Sequence, residues 1–162
     1  MISDFGRLLA ALADGGVEFL IVGGIAARLH GSPRVTSDLD IFYRRTRENI
    51  GRLAAAIAPL HPYLRGAPPN LPFQFDAETI RRGLNFTLTT DAGPLDCIGE
   101  LAGVPGYDAV ASNAIEVTAH GVTCRCIDPD SLIAAKRAAG RPKDFEAIAE
   151  LEVIREERQR QP

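Results

Sequence analysis

Apolar residues recur at helical spacing at the start of the chain, where Phe5, Leu8, Leu9 and Leu12 fall on one stripe of a helix expected from Ser3 to Ala13 and ended by Gly15 and Gly16. Glu18 to Val22 then reads as a short buried strand, Gly23 and Gly24 as a turn, and Ile25 to Leu29 as the start of a helix. Asp38-Leu39-Asp40-Ile41-Phe42 alternates polar with apolar, the period of a strand with one face toward the core. Leu39 and Phe42 are out of phase in that strand, which allows a bend near Ile41. Ile50, Leu53, Ala54 and Ile57 return to helical spacing and predict a second long helix from Arg47 to Ala58.

Residues 59 to 72 hold five of the eleven prolines and read as a rigid, irregular loop. A short helix is expected from Asp76 or Ala77 to Arg82. Leu84 to Thr90 is β-rich, Asp91-Ala92-Gly93 is a turn signal, and Pro94 to Ile98 reads as the return strand, with Leu95 and Cys97 on one face and Asp96 and Ile98 on the other. Gly103, Pro105 and Gly106 punctuate residues 99 to 113, which read as a loop. Ile115 to Ala119 and Val122 to Cys126 flank His120-Gly121 as a second hairpin. A helix capped by Asp130 or Ser131 and ended by Gly140 follows, then one opened by Pro142, with a charged tail expected to fray from Arg155.

The chemistry concentrates in residues 19 to 43. Asp38 and Asp40 lie one strand step apart on one face, and two such carboxylates repel unless a cation or basic side chains lie between them. Oxygen-only ligands suit hard ions such as Mg²⁺ or Mn²⁺. Gly23 and Gly24 precede a helix terminus, where small residues and unpaired N–H groups let a phosphate approach. Either motif alone is common. In this order, with residues 25 to 37 between them, they resemble the Gly-Gly/Ser…Asp-x-Asp signature of the DNA polymerase beta-like nucleotidyltransferase superfamily. Gly23-Gly24-x-Ala26 followed by Arg34-x-Thr36-x-Asp38-Leu39-Asp40 looks most like its small AbiEii-like and minimal bacterial members.

The resemblance implies an α+β fold: a small mixed β-sheet with helices packed on it and a helical pair at the C-terminal end. It also implies a third carboxylate on a later strand. Asp96 fits, whereas the competing Asp91 sits in a turn. On this reading Asp38, Asp40 and Asp96 are the catalytic residues and hold Mg²⁺ or Mn²⁺, and Asp96 is placed to take the proton from an acceptor hydroxyl. Gly23 and Gly24 hold phosphate oxygens through backbone N–H groups. Arg34, Lys136 and Arg141 are candidates for the triphosphate, Lys143 lies beside them, and Asp144 orients one of them. Arg34 has a second possible role, bracing the carboxylates. The chain has only two lysines among its 18 basic residues, at 136 and 143. His30 is placed either to touch a base or phosphate or merely to favour a helix end. Tyr43 is a candidate for base stacking or for plain packing. Cys124-x-Cys126 lacks a second pair of soft ligands and reads as part of a strand.

The implied activity is transfer of a nucleoside monophosphate from an NTP to an acceptor hydroxyl. An RNA 3′ end, a protein side chain and a small hydroxylated molecule such as an antibiotic are all compatible as acceptor, and RNA or protein is the first expectation. Toxin-like relatives point to a toxin–antitoxin or phage-defence setting with a cognate protein partner. The rivals are a catalytically inactive, antitoxin-like partner-binding protein and a domain with a structural cation alone. The three intact aspartates favour the enzyme.

Composition narrows this further. At 162 residues a single domain over 1–162 is expected, with an αβ core over 1–128 and the helical pair over 129–158. The net charge of −3 and sequence pI near 5.6 argue against wholesale coating of nucleic acid, though not against local capture of an RNA end by arginines. No apolar run approaches the ~20 residues of a membrane helix. The start of the chain lacks the pattern of a signal peptide, and three cysteines make no complete disulfide set, which together predict a cytoplasmic location and no membrane partner.

Overall fold

The computed structural model describes residues 3–161. Seven strands form one mixed sheet in the order β3-β4-β5-β2-β1-β7-β6. The central strands are β1 (Phe19–Val22), β2 (Leu39–Tyr43) and β5 (Leu95–Ile98); β2 runs antiparallel to β1 and parallel to β5. β3 (Tyr63–Leu64) and β4 (Phe86–Thr89) extend one side, and the hairpin of β6 (Ile115–Ala119) and β7 (Val122–Cys126) extends the other. The expected α+β architecture, a mixed sheet with helices packed on it, is therefore the one observed.

The apolar stripe of α1 (Phe5–Asp14) buries Leu8, Leu9 and Leu12 completely, each worth about 1.5–3 kcal/mol relative to exposure. Asp4 caps it by accepting a hydrogen bond from Arg7 N, so the helix opens at Phe5 and not at Ser3. β2 is central, so both of its faces are covered: Leu39, Ile41, Phe42 and Tyr43 are all buried and only Asp40 is partly open. That removes the need for a bend at Ile41. α3 (Arg47–Ile57), capped by Thr46, packs its Ile50, Leu53 and Ile57 inward as the spacing predicts.

Several boundaries differ from expectation. Gly23 and Gly24 do not precede the first βα helix but open it, as the first turn of α2 (Gly23–Leu29). The proline-rich stretch contains a 3₁₀ turn at Ala58–Leu60 and the edge strand β3, because the Tyr63 and Leu64 backbones pair with β4. The 99 to 113 segment contains α5 (Tyr107–Ala111), with Tyr107 against Phe42 in an edge-to-face contact. α4 (Ala77–Arg82) is capped by Asp76, as one of the two expected starts. α6 (Pro129–Ala139) is capped by Asp128 with Pro129 in its first turn, two residues before Asp130 and three before Ser131, and ends at Gly140 with φ +66°. α7 (Pro142–Arg160) does not fray at Arg155 but runs on to Arg160, with Arg155 paired to Asp130 at 2.5 Å and Arg137 to Glu152 at 2.7 Å across to α6. Among the described residues no helix is long and apolar enough to cross a membrane.

Candidate active site

Strand pairing brings the acids together. In the parallel register of β2 and β5, Asp40 stands directly opposite Asp96, and Asp38 lies two residues earlier on the same face as Asp40. On its other side Asp40 is paired with Val22, so Gly23 and the start of α2 lie immediately beside it. α6 and α7 close the other wall. The result is a cleft of about 280 Å³ lined by all three aspartates, by Gly23 and Gly24, and by Arg34, Lys136 and Arg141. The three aspartates, the two glycines and the three basic residues that the sequence put forward thus line one cavity, and Lys143 and Asp144 join them. A larger hollow of about 410 Å³ lies at the far end of β1, beside Glu18, Arg44 and Arg125, and lacks such a grouping of acids.

The acids differ in surroundings. Asp40 is the most enclosed: burial, then the negative charges of Asp96 and Asp38, push its carboxyl up from 3.8 to about 7, with Lys136 offsetting part of the rise. Its Oδ1 is buried without a hydrogen-bond partner. Asp38 accepts a hydrogen bond from Ser37 Oγ at 2.9 Å, and the Asp38 N–H donates to Thr36 Oγ1 at 3.4 Å. A cation is the group that an orphaned carboxylate oxygen and an oxygen-only donor set accommodate, so the chemistry of the cleft fits Mg²⁺ or Mn²⁺. Among the described residues, however, no three His, Cys, Asp or Glu side chains are already grouped to hold a metal ion.

A residue that sequence reasoning missed stands against two of the acids. Arg65, just past β3, donates from Nη2 to Asp96 Oδ1 at 2.7 Å and to the Leu88 carbonyl at 2.7 Å, and from Nη1 to Asp38 Oδ2 at 3.5 Å. Its guanidinium therefore bridges two of the three acids. Only the pairing of a two-residue edge strand puts Arg65 there, and nothing in the proline-rich run signals it.

The basic residues divide by how they are held. Asp144, almost fully buried, accepts hydrogen bonds from Arg141 N at 3.1 Å, Nε at 2.6 Å and Nη2 at 3.1 Å. Burial tends to raise the Asp144 carboxyl, but the hydrogen bonds and charge of Arg141 outweigh it and hold the group below its ordinary value. Asp144 thus orients Arg141, as the sequence predicts, and by accepting from the Arg141 N–H it also caps the start of α7. Lys136 makes no ion pair among the described residues. Burial lowers its ammonium below the usual lysine value, and the charges of Asp144 and Asp40 counter that in part. Arg34 lies on the rim with its head turned away: Nε and Nη2 donate to Glu150 at 3.1 Å each, and Nη2 to Glu146 at 3.3 Å. The brace on the carboxylates that the sequence offers to Arg34 belongs instead to Arg65.

The other candidates fall outside the cleft. His30 is buried with Nε2 2.6 Å from the Ile127 carbonyl, where it ties α2 to the end of β7. Tyr43 is fully buried and its hydroxyl donates to the Leu84 carbonyl at 2.7 Å, so packing, not base stacking, is its role. Asp91 pairs with His61 at 2.5 Å in the surface turn.

No family model matches the chain, and no curated protein matches its sequence. Solved structures do match its fold. The solution structure of the antibiotic-resistance factor ANT(2'')-Ia is 20% identical with a TM-score of 0.56, and the match covers 96% of this chain and 89% of that one. The crystal structure of ANT(2")-Ia in complex with adenylyl-2"-tobramycin is 19% identical with a TM-score of 0.55, covering 93% and 92%. The Thermotoga maritima protein TM1012, assigned to the nucleotidyltransferases, is 14% identical with a TM-score of 0.56, covering 90% and 88%. The chain therefore shares the fold of these structures along nine-tenths or more of its length.

Proposed function

We propose that the protein is a nucleotidyltransferase that moves a nucleoside monophosphate from an NTP to an acceptor hydroxyl. The observation that carries this reading is the convergence of Asp38, Asp40 and Asp96 with the Gly23-Gly24 helix start and Lys136 in one cleft. Asp38, Asp40 and Asp96 would hold Mg²⁺ or Mn²⁺, which when bound polarises the phosphoryl and hydroxyl oxygens. The chain's own groups supply the rest. Backbone N–H groups at Gly23 and Gly24 bind phosphate oxygens. Lys136 and Arg141 offset the charge that develops on the departing pyrophosphate, and Asp144 keeps the Arg141 fork aimed. Asp96, the acid that β5 contributes, accepts the proton of the attacking hydroxyl.

For the acceptor, the likeness in fold to ANT(2")-Ia, whose complex holds adenylyl-2"-tobramycin, supports a small hydroxylated molecule such as an antibiotic. RNA 3′ ends and protein hydroxyls stand behind it, and a toxin–antitoxin or phage-defence setting with a cognate partner would suit those two. Three acids facing one cavity disfavour an inactive partner-binding protein. A thermal-shift series separates this reading from a merely structural cation: Mg²⁺ with an NTP raises the melting temperature well beyond Mg²⁺ alone. Equal shifts with and without the nucleotide would reject the nucleotide site.

A further inference from the structure

Arg65 occupies the space between Asp38 and Asp96, and it does so with an incomplete set of partners. Its Nη2 is well used, by Asp96 Oδ1 and the Leu88 carbonyl, each at 2.7 Å, but its contact with Asp38 is long at 3.5 Å. Its Nε is buried with no partner at all. A guanidinium selected to brace two carboxylates permanently pairs fork to fork and leaves no donor stranded in the interior. The third acid is not served either, because Asp40 Oδ1 is also buried without a partner. The bridge neutralises two of the acids while leaving polar atoms unsatisfied on both sides.

The backbone is built to let the side chain go. The Arg65 N–H donates to the Thr87 carbonyl at 3.0 Å, so the main chain stays fixed to β4 whatever the guanidinium does. β3 is the edge strand, only two residues long, and Gly66 follows with φ +80°. The Arg65 side chain is about a quarter exposed, so it has a path toward solvent that leaves the core undisturbed.

We infer that Arg65 is the resident counter-ion of the carboxylate cluster and competes with the divalent cation for Asp38 and Asp96, so that cation entry and release of Arg65 are one exchange. This rests on the reading of the three aspartates as the cation site. Two positive groups cannot share the same oxygens at short range without strong repulsion, so the ion that draws Asp38, Asp40 and Asp96 together displaces the guanidinium. In the metal-free protein the exchange leaves Asp38 and Asp96 paired with a cationic side chain. It also gives the protein a fixed charge balance before the metal arrives. Arg65 is accordingly a positioning residue that acts through the acids and sets how much cation is needed to organise the site.

The test is Mn²⁺ binding followed by electron paramagnetic resonance on purified full-length protein without nucleotide, comparing wild type, Arg65→Met, Arg65→Lys and an Asp38→Asn/Asp40→Asn control. Folding of each is checked by circular dichroism. Removing the competitor raises Mn²⁺ affinity about tenfold or more in Arg65→Met, the scale of a charge-assisted hydrogen-bonded pair, and lowers the melting temperature of the metal-free protein. Arg65→Lys, which keeps the charge but loses the fork, falls between the two and keeps the test open if Arg65→Met does not fold. Unchanged or weaker Mn²⁺ binding in both variants, with binding lost in the aspartate control, would overturn the exchange and make Arg65 a plain brace. Binding that survives in the aspartate control would instead overturn the cation site itself.

Discussion

The Asp40 carboxylate lies in the space that a side chain on Gly23 would take: a Cβ built there comes within 2.8 Å of Asp40 Cγ and closer still to Oδ2. Gly23 also has φ +66°, a conformation that costs an L-residue about 1–2 kcal/mol. Gly23→Ala is therefore expected to destabilise the protein by at least that amount in urea denaturation and to displace Asp40 enough to weaken Mn²⁺ binding. Gly66→Ala makes a useful comparison, since it shares a positive φ but meets no neighbouring atom. It should show the backbone cost without the loss of metal binding.

The protonation of Asp40 sets a pH dependence in the metal-free protein. Its folded-state value, raised from 3.8 to about 7 by burial and by Asp96 and Asp38, means that the folded chain keeps a proton that the unfolded chain releases. The resulting stabilisation is fully present below 3.8 and is lost as pH rises through about 7. Asp40→Asn carries no such charge. Without divalent ions the variant should melt above wild type at pH 8, and the difference should shrink toward pH 4. Melting curves in chelator across that range check the sign, and adding Mg²⁺ at pH 8 should stabilise wild type but not the variant.

Lys136 and Arg34 both line the cleft, yet only Lys136 is without an ion-pair partner among the described residues. Lys136→Ala is expected to weaken binding of Mg²⁺–NTP by about tenfold or more, the scale of hydrogen bonds to a charged group. Arg34→Ala should weaken it much less, because its guanidinium is committed to Glu150 and Glu146. Isothermal titration with a non-hydrolysable NTP analogue separates the two. Equal losses would show that Arg34 leaves α7 to reach the phosphates.

Asp144 does two jobs at once, starting α7 and aiming Arg141. Asp144→Ala should cost about 1 kcal/mol or more in chemical denaturation, as loss of a helix cap does. Asp144→Asn retains an acceptor for the Arg141 N–H and should recover part of that stability. Because the fork then loses its charged partner, turnover should stay low even where the fold is restored.

Much of this site was legible because its residues sit in strands and at helix ends, where short-range pattern decides position. The alternation through Asp38 and Asp40 predicted a shared face, and the turn signal at Asp91 to Gly93 put Asp96 on a return strand, which the β2–β5 register then sets beside Asp40. Lys136 and Arg141 came from the family resemblance, and the helix start and stop signals around Gly140 placed them at a helix–helix turn. What the sequence did not disclose depends on tertiary pairing. Arg65 reaches the acids through a two-residue strand hidden in a proline-rich run, and Arg34 is drawn off by glutamates 112 and 116 positions away. α5 was obscured by the glycines and the proline before it, and its burial of Val110 and Ala111 is what holds it. Tertiary ion pairs with α6 likewise carry α7 past Arg155, although the tail's own composition favours fraying.

The most direct test of the whole account is transfer of label from each of four α-³²P NTPs, with Mg²⁺ or Mn²⁺, onto a panel of aminoglycosides, total RNA and lysate protein, run beside Asp38→Asn and Asp40→Asn. The account predicts label on one acceptor class, with pyrophosphate released, and none with either variant although both still fold. Label that persists at the wild-type rate in either aspartate variant would contradict the assignment of the cleft as the site of transfer.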